Sequence, residues 1–174
     1  MTGRPVPLLE AERLLLRAVE QAELDPLYAV RCEPGVTRWW GTEARDVFAR
    51  EALGHDPDVV TFAIDVGGVI VGAIQLHEEA TPEFRHAGID IFLGDRWRGR
   101  GLGRDAVARL VEHTIDDLCH HRITIDPAAA NEPAIRCYAA VGFRPVGVLR
   151  QYQRFDDGTW HDGLLMDLLA SDLD

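Results

Sequence analysis

Residues 96–104 read Arg-Trp-Arg-Gly-Arg-Gly-Leu-Gly-Arg and concentrate glycine and arginine in one short stretch. They follow an apolar run and lead into an amphipathic one. A glycine-rich turn from a strand into a helix presents unpaired backbone N–H groups and the positive end of the helix dipole. Glycine lets the backbone approach an anion closely, and Arg98, Arg100 and Arg104 add positive charge at the same place. The stretch therefore predicts an anion site that suits a pyrophosphate.

Two other phosphate-binding patterns do not fit this stretch. The nucleotide-binding P-loop needs Gly-x-x-x-x-Gly-Lys-Ser/Thr, which the sequence lacks. The dinucleotide fingerprint needs Gly-x-Gly-x-x-Gly early in a strand-helix-strand unit, whereas here Gly-x-Gly-x-Gly follows several strands with antiparallel patterns. On these residues alone, a plain strand-to-helix turn with solvated arginines stays open, because short glycine motifs often occur by chance.

Composition and charge limit the class of protein. The 174 residues, 47% hydrophobic and 27% charged, predict a single domain over residues 1–174. There is no apolar run of membrane-spanning length and no signal-peptide pattern, so we expect a cytoplasmic protein without membrane association. The net charge of -11 argues against nucleic-acid binding and favours a cationic small molecule as partner.

The cysteines and histidines show no metal-binding pattern. Cys32, Cys119 and Cys137 have neither zinc nor disulfide spacing, which predicts no metal site and a reducing compartment. No residue near Cys137 is placed to activate it, so a covalent route through this thiol is not favoured. The histidines favour structural or surface roles, except that His86 lies near enough to Asp90, a carboxylate within the apolar run of residues 88–94, to matter.

Hydrophobic periodicity predicts a mixed α/β chain. Gly67-Gly68 between two β-branched runs indicates a tight hairpin, and apolar residues at helical spacing mark the helix after the glycine-rich stretch. The predicted strands are 12–19, 59–65, 69–76, 88–94, 122–126, 143–149 and 160–168, and the predicted helices are 20–30, 42–53, 102–118 and 131–141. Residues 38–41, Arg-Trp-Trp-Gly, fall between the first two helices, and residues 77–84 are predicted as a loop.

Two motifs in order resemble a known superfamily. Residues 98–103, Arg-Gly-Arg-Gly-Leu-Gly, match the Arg/Gln-x-x-Gly-x-Gly/Ala signature of the GNAT N-acetyltransferases, and residues 126–143 resemble its second signature. The resemblance implies a mostly antiparallel, twisted sheet of about seven strands flanked by about four helices. It also implies that the sheet splays between its fourth and fifth strands, 88–94 and 122–126, and that acetyl-CoA lies in the splay.

Within that superfamily, four short pieces resemble aminoglycoside 6'-N-acetyltransferases: Trp39-Trp40-Gly41, Gly88-Ile89-Asp90, Asp126-Pro127 and Asp157-Gly158. The resemblance implies acetyl transfer to a primary amine by direct attack, in a monomer or homodimer. Siderophore-precursor acyltransferases and ribosomal-protein N-terminal acetyltransferases share much of the frame, and the first strand resembles the latter. A CoA-binding or drug-sequestering module without catalysis is the non-enzyme alternative.

The resemblance also implies residue roles. Asp90 would serve as the base, backbone N–H groups near Phe92 and Leu93 would polarise the thioester carbonyl, and Tyr138 would protonate the leaving sulfur. Strand alternation puts Asp90 on the face opposite Ile89 and Ile91. An ion-paired structural carboxylate for Asp90, and simple core packing for Tyr138, are the alternatives.

The expected binding residues fall into two sets. The cofactor set is Phe92, Leu93, Arg98, Gly99, Arg100, Gly101, Leu102, Gly103, Arg104, Asn131, Ala134 and Tyr138, and the acceptor set is Trp39, Trp40, Asp90, Asp126 and Asp157. The adjacent tryptophans cannot share one face of a helix or strand, so we expect one to pack inward and the other to line the acceptor site. Core anchoring of both is equally open.

Overall fold

The computed structural model describes residues 5–173 as one mixed α/β arrangement of strands and helices. The strands are β1 (Leu9–Glu10), β2 (Leu15–Ala18), β3 (Val59–Val66), β4 (Val69–Glu79), β5 (His86–Leu93), β6 (Arg122–Ile125), β7 (Arg144–Arg154) and β8 (Trp160–Leu169). The helices are α1 (Leu24–Arg31), α2 (Pro34–Trp40), α3 (Arg45–Ala52), α4 (Leu102–Asp116) and α5 (Glu132–Val141).

The strands form one sheet in the order β1-β2-β3-β4-β5-β6-β8-β7. Neighbouring strands are antiparallel except β5 and β6, which are parallel. In the described part of the chain, β5 and β6 pair only at Ala87 with Ile123 and Gly88 with Thr124. Beyond these pairs the two strands separate, which confirms the mostly antiparallel sheet and its splay.

The element counts differ slightly from the prediction. Residues 5–173 hold eight strands rather than about seven, because β1 has two residues and is too short to show an alternating pattern. They hold five helices rather than about four, because α2 begins at Pro34 inside a segment where no helix was predicted. A proline at the first position of a helix is well tolerated, since its missing N–H has no partner there.

β4 and β7 extend furthest beyond their predicted ends, and both extensions bear on the site. β4 continues through His77 to Glu79, residues that were predicted as the start of a loop. β7 continues to Arg154, five residues beyond the predicted end at Leu149. The hydrophobic alternation that predicts a strand is absent from both extensions, because their residues are polar and the strands are exposed there.

Apolar side chains pack on both faces of the sheet. Phe62 belongs to the cluster that includes Leu110 of α4, whereas the next residue, Ala63, belongs to the cluster with Leu27 of α1 and Phe48 of α3. Successive side chains of a strand point to opposite faces, so the two clusters lie on opposite sides of the sheet. Within residues 5–173, no helix has the length and apolar character to cross a membrane.

Candidate functional site

The glycine-rich stretch forms the turn that leads into α4. Gly99 and Gly101 have φ angles of 71° and 81°, in the left-handed region that favours glycine, and Gly101 is the N-cap of α4. Glycine offers no side chain to cap the helix, so the first N–H groups of α4 are left for another acceptor. A Cβ added at Gly99 meets no described atom within 4 Å, so the turn is open on that side.

A cavity of about 890 Å³ lies beside this turn and is lined by arginines from several elements. We call it the arginine cavity; its arginines are Arg13, Arg38, Arg98, Arg100, Arg104 and Arg136. Guanidinium groups next to a helix N-terminus suit phosphate oxygens. The donor set therefore fits the pyrophosphate and 3'-phosphate of coenzyme A, in a chain whose overall charge is negative.

The splay of the sheet forms another wall of the arginine cavity. Ile91, Phe92 and Leu93 lie in β5 beyond its last pair with β6, and all three line the cavity. Asn131 and Ala134 line it from the start of α5, where Asn131 Oδ1 accepts a hydrogen bond of 3.4 Å from the Ala134 N–H. The predicted cofactor residues thus meet around one cavity, apart from one side chain.

Leu102 is that side chain, because it is buried in the core beneath α4 and does not point into the cavity. Arg13, Arg38 and Arg136 line the cavity but were not predicted. Cys137 also lines it, and burial raises the pKa of its thiol. A raised thiol pKa disfavours the nucleophilic thiolate, which argues against a covalent route through Cys137.

A second cavity, of about 370 Å³, adjoins the first. We call it the acidic cavity, since Asp90 and Asp126 line it together with Trp39, Trp40, Tyr152 and Gln153. Trp39, Trp40, Ile91, Asn131 and Tyr138 line both cavities. An opening that changes from basic to acidic can therefore hold an anionic and a cationic molecule side by side.

Asp90 is half-buried and lies 3.0 Å from the imidazole of His77, measured from Oδ2 to Nε2. His77 lies on the neighbouring strand β4, where it is two positions from the residue that pairs with Asp90. The Asp90 carboxylate raises the pKa of His77, although burial opposes the shift. His77 is thus the histidine beside Asp90, not His86, whose Nδ1 lies 2.7 Å from the carbonyl oxygen of Phe84.

Asp126 lies just after β6, across the splay from Asp90. Burial raises the pKa of its carboxyl, although the Tyr152 hydroxyl donates a hydrogen bond to Oδ2 and opposes that shift. The same hydrogen bond raises the pKa of Tyr152 to about 12. Tyr152 was not predicted as a site residue, because it lies in the part of β7 beyond the predicted strand end.

Tyr138 lies on α5 where the two cavities meet. Its side chain is buried, and burial raises the pKa of the hydroxyl well above its usual value of 10. The ring also packs edge-on against Phe143, with centroids 6.4 Å apart. Tyr138 therefore combines a core contact with a neutral O–H group between the cavities.

Both tryptophans lie at the end of α2 and line both cavities, and Trp40 in addition packs inward against the core cluster that contains Phe92. Trp40 also contacts Phe92 edge-on, with ring centroids 5.4 Å apart. The Gln153 side chain of β7 donates a 3.1 Å hydrogen bond from Nε2 to the Trp39 carbonyl. The β7–β8 hairpin is thereby tied to α2 across the acidic cavity.

Asp157 lies outside both cavities, in the turn between β7 and β8. Its Oδ1 accepts hydrogen bonds from the Thr159 N–H at 2.8 Å and the Thr159 hydroxyl at 2.6 Å. The neighbouring Asp156 instead reaches the segment just after α2, where it accepts a 2.9 Å hydrogen bond from the Thr42 N–H. The structure thus brings four of the five predicted acceptor residues together and places the fifth in a turn.

Comparisons with known proteins agree with this geometry. A family model described as an acetyltransferase (GNAT) domain matches residues 13–144. The aminoglycoside N(6')-acetyltransferase type 1 of Klebsiella pneumoniae is 29% identical over 157 residues, which cover 79% of this chain and 77% of that protein. The spermidine N(1)-acetyltransferase of Vibrio cholerae is 26% identical over 165 residues, covering 91% and 94% of the two chains.

The fold also matches a solved structure. The crystal structure of spermidine N-acetyltransferase from Vibrio cholerae in complex with CoA and spermine superposes with a TM-score of 0.80 at 24% identity. The match covers 94% of this chain and all of that one (100%). At this level of identity the likeness shows that the two chains share a fold.

Proposed function

Since the chain belongs to the GNAT acetyltransferases, which take their acetyl group from acetyl-CoA, we propose that it acetylates a primary amine of a cationic small molecule, an aminoglycoside first among them. The observation that carries the proposal is the acidic cavity, in which Asp90 and Asp126 face each other across the splay beside the arginine cavity. Two carboxylates in one half-closed cavity attract and orient ammonium groups.

The walls of the acidic cavity suit an amino sugar. Trp39 and Trp40 offer aromatic faces that can stack on a ring or hold a cation. Tyr152 and Gln153 add hydrogen-bonding groups on the opposite wall. The acceptor amine would then lie between Asp90 and the cofactor end of the opening, where the acidic and arginine cavities meet.

The cofactor supplies an acetyl thioester, and three groups of this chain serve the transfer. Asp90 accepts a proton from the acceptor ammonium, so that a neutral amine attacks the acetyl carbon. The Gly94 N–H bonds to the Val71 carbonyl on β4, so strand alternation turns the Phe92 N–H toward β4 and the Leu93 N–H toward the splay. The Leu93 N–H therefore stabilises the negative charge that develops on the acetyl oxygen. Tyr138, kept protonated by burial, donates a proton to the departing sulfur.

A polyamine is the second candidate acceptor. The Vibrio cholerae spermidine N(1)-acetyltransferase matches over nearly its whole length, and a polyamine would satisfy two carboxylates with two of its ammonium groups. Binding of a polyamine would cost more conformational freedom than binding of an amino sugar, because its alkyl chain is flexible.

The test is an acceptor screen read by mass spectrometry. The enzyme and acetyl-CoA are incubated with kanamycin, spermidine, hydroxylysine or a short peptide with a free N-terminus, and the products are weighed. We expect acetylated kanamycin with the highest kcat/KM. Product from spermidine alone would replace the aminoglycoside with a polyamine, and product from the peptide alone would refute a small-molecule acceptor. No product from any amine, with CoA still bound, would support a binding module.

A further inference from the structure

Arg13 lies before β2, far from the glycine-rich turn in sequence, yet its side chain covers that turn. Its Nη1 donates a 2.8 Å hydrogen bond to the Arg100 carbonyl oxygen, and its Nε donates one of 2.7 Å to Asp105 Oδ2. A Cβ added at Gly101 would lie 2.7 Å from Arg13 Nη2. The guanidinium group therefore lies directly against the N-cap of α4.

Asp105, the ion-pair partner of Arg13, places a negative charge close to the arginine cavity. It lies in the first turn of α4, and only a fifth (20%) of its side chain is exposed. A carboxylate at this end of a helix is favoured by the helix dipole, but here it adds negative charge beside a site for phosphate. Its charge reaches the cavity: burial raises the pKa of Cys137, Arg104 lowers it, and Asp105 raises it.

Arg104 also lies near the Asp105 carboxylate. Its Nε lies 3.9 Å from Asp105 Oδ1, at the edge of ion-pair distance, and its side chain lines the arginine cavity. Arg13 contacts the other oxygen, Oδ2, through both Nε and Nη2. As long as Arg13 neutralises Asp105, Arg104 is available to an anion in the cavity.

We propose that Arg13 is a positioning residue for coenzyme A, which neutralises Asp105 and fixes the turn of residues 98–103 so that its N–H groups and Arg104 face the pyrophosphate. Arg13 itself remains bound to Asp105 and the Arg100 carbonyl. The proposal concerns the acetyl donor and does not depend on which amine is acetylated.

The test is calorimetric titration of coenzyme A in the absence of any acceptor. Arg13→Ala is expected to weaken CoA binding about tenfold, the order expected when a charged group beside an anion loses its partner. Asp105→Asn is expected to bind CoA at least as tightly as the native chain. The double variant is expected to recover to within about threefold of native affinity, because it lacks the negative charge of Asp105.

A different set of CoA affinities is expected if the Arg13–Asp105 ion pair only stabilises the fold. Asp105→Asn would then weaken CoA binding as much as Arg13→Ala does, and the double variant would be no better than either, which would overturn the proposal. Native affinity in Arg13→Ala would overturn it as well. If Arg13→Ala does not fold, Asp105→Asn alone decides: tighter or equal binding supports the proposal and weaker binding refutes it.

Dephospho-coenzyme A locates the effect. Because the turn faces the pyrophosphate, Arg13→Ala should weaken CoA and dephospho-CoA by the same factor. A loss confined to CoA would mean that Arg13 contacts the 3'-phosphate directly, and would refute a positioning role. Thermal melting without ligand serves as the control for folding, and a change in melting temperature that tracks the affinities across all variants would also count against the proposal.

Discussion

The two cavities that meet at Tyr138 differ in how the chain builds them. The arginine cavity takes its central part from one continuous stretch, residues 98–104. The acidic cavity takes Asp90 from β5, Asp126 from the end of β6, Tyr152 from β7 and Trp39 from α2. The half that would hold the common donor is therefore local in sequence, whereas the half that would select the acceptor depends on long-range packing.

The largest effect is expected from a substitution in the arginine cavity that leaves the acidic cavity unchanged. Gly101→Asp should abolish CoA binding in calorimetry, by at least about a hundredfold, because it places a carboxylate at a positive-φ position beside the phosphates. Gly54→Asp is the matched control, since Gly54 also has a positive φ of 70° but lies away from both cavities. Native CoA affinity in Gly101→Asp would show that the turn does not hold the phosphates.

Asp90→Asn is the corresponding change in the acidic cavity. We expect kcat/KM to fall about a hundredfold or more, the usual cost of losing a general base, with CoA affinity unchanged. Asp157→Asn, in the turn outside both cavities, should leave kcat/KM as it is. Equal losses in the two variants would remove Asp90 from the chemistry and leave it a structural partner of His77.

Tyr152→Phe should have a smaller effect, confined to the acceptor. It removes the hydrogen bond that opposes the raised pKa of Asp126, so the carboxyl is protonated more readily and attracts an ammonium group less. The KM for the acceptor should rise about tenfold and the loss should grow as the pH falls. Steady-state kinetics across a pH series, with the KM for acetyl-CoA as internal control, would check this. A rise in both KM values would contradict the separation of the cavities.

The smallest expected effect is a pH dependence of stability. The pKa of His77 is raised by Asp90, so their contact stabilises the fold fully below the unfolded histidine pKa of about 6.5, and this stabilisation is lost as the pH rises through the folded pKa. The pair is partly exposed, so we expect about 0.5 kcal/mol. Urea unfolding of native and His77→Gln chains at about pH 5.5 and pH 8.5 would measure it. A native advantage that is no larger at the lower pH would contradict the assignment.

The sequence was most informative where the relevant contacts are short-range. Residues 98–104 and the start of α4 follow from glycine conformation and apolar spacing, and the second motif locates Asn131 and Tyr138 on α5. The splay between β5 and β6 came from resemblance, because it depends on two strands separated by a helix. Periodicity of a single strand carries no information on where its neighbour departs.

The site residues that the sequence did not predict lie where local sequence patterns carry no signal. His77 and Tyr152 lie in strand extensions whose polar residues break the alternating pattern. Arg13 reaches Asp105 across 92 positions, a distance in sequence over which no local pattern applies. Asp157 was expected at the site because of its resemblance to a family motif, whereas in the structure its neighbour Asp156 is the residue that contacts Thr42, just after α2.

The short parallel contact between β5 and β6 also affects how the protein resists heat. Two residue pairs join the strands β1 to β5 with the strands β6 to β8, so this seam has fewer backbone hydrogen bonds than its neighbours. A donor molecule bound in the splay, as proposed above, would contact both sides of the seam and would bind only the folded chain. Occupancy therefore stabilises the fold by mass action, and at a donor concentration about a hundred times the Kd this amounts to about 2.7 kcal/mol. The enzyme is then most resistant to unfolding when it is loaded for reaction.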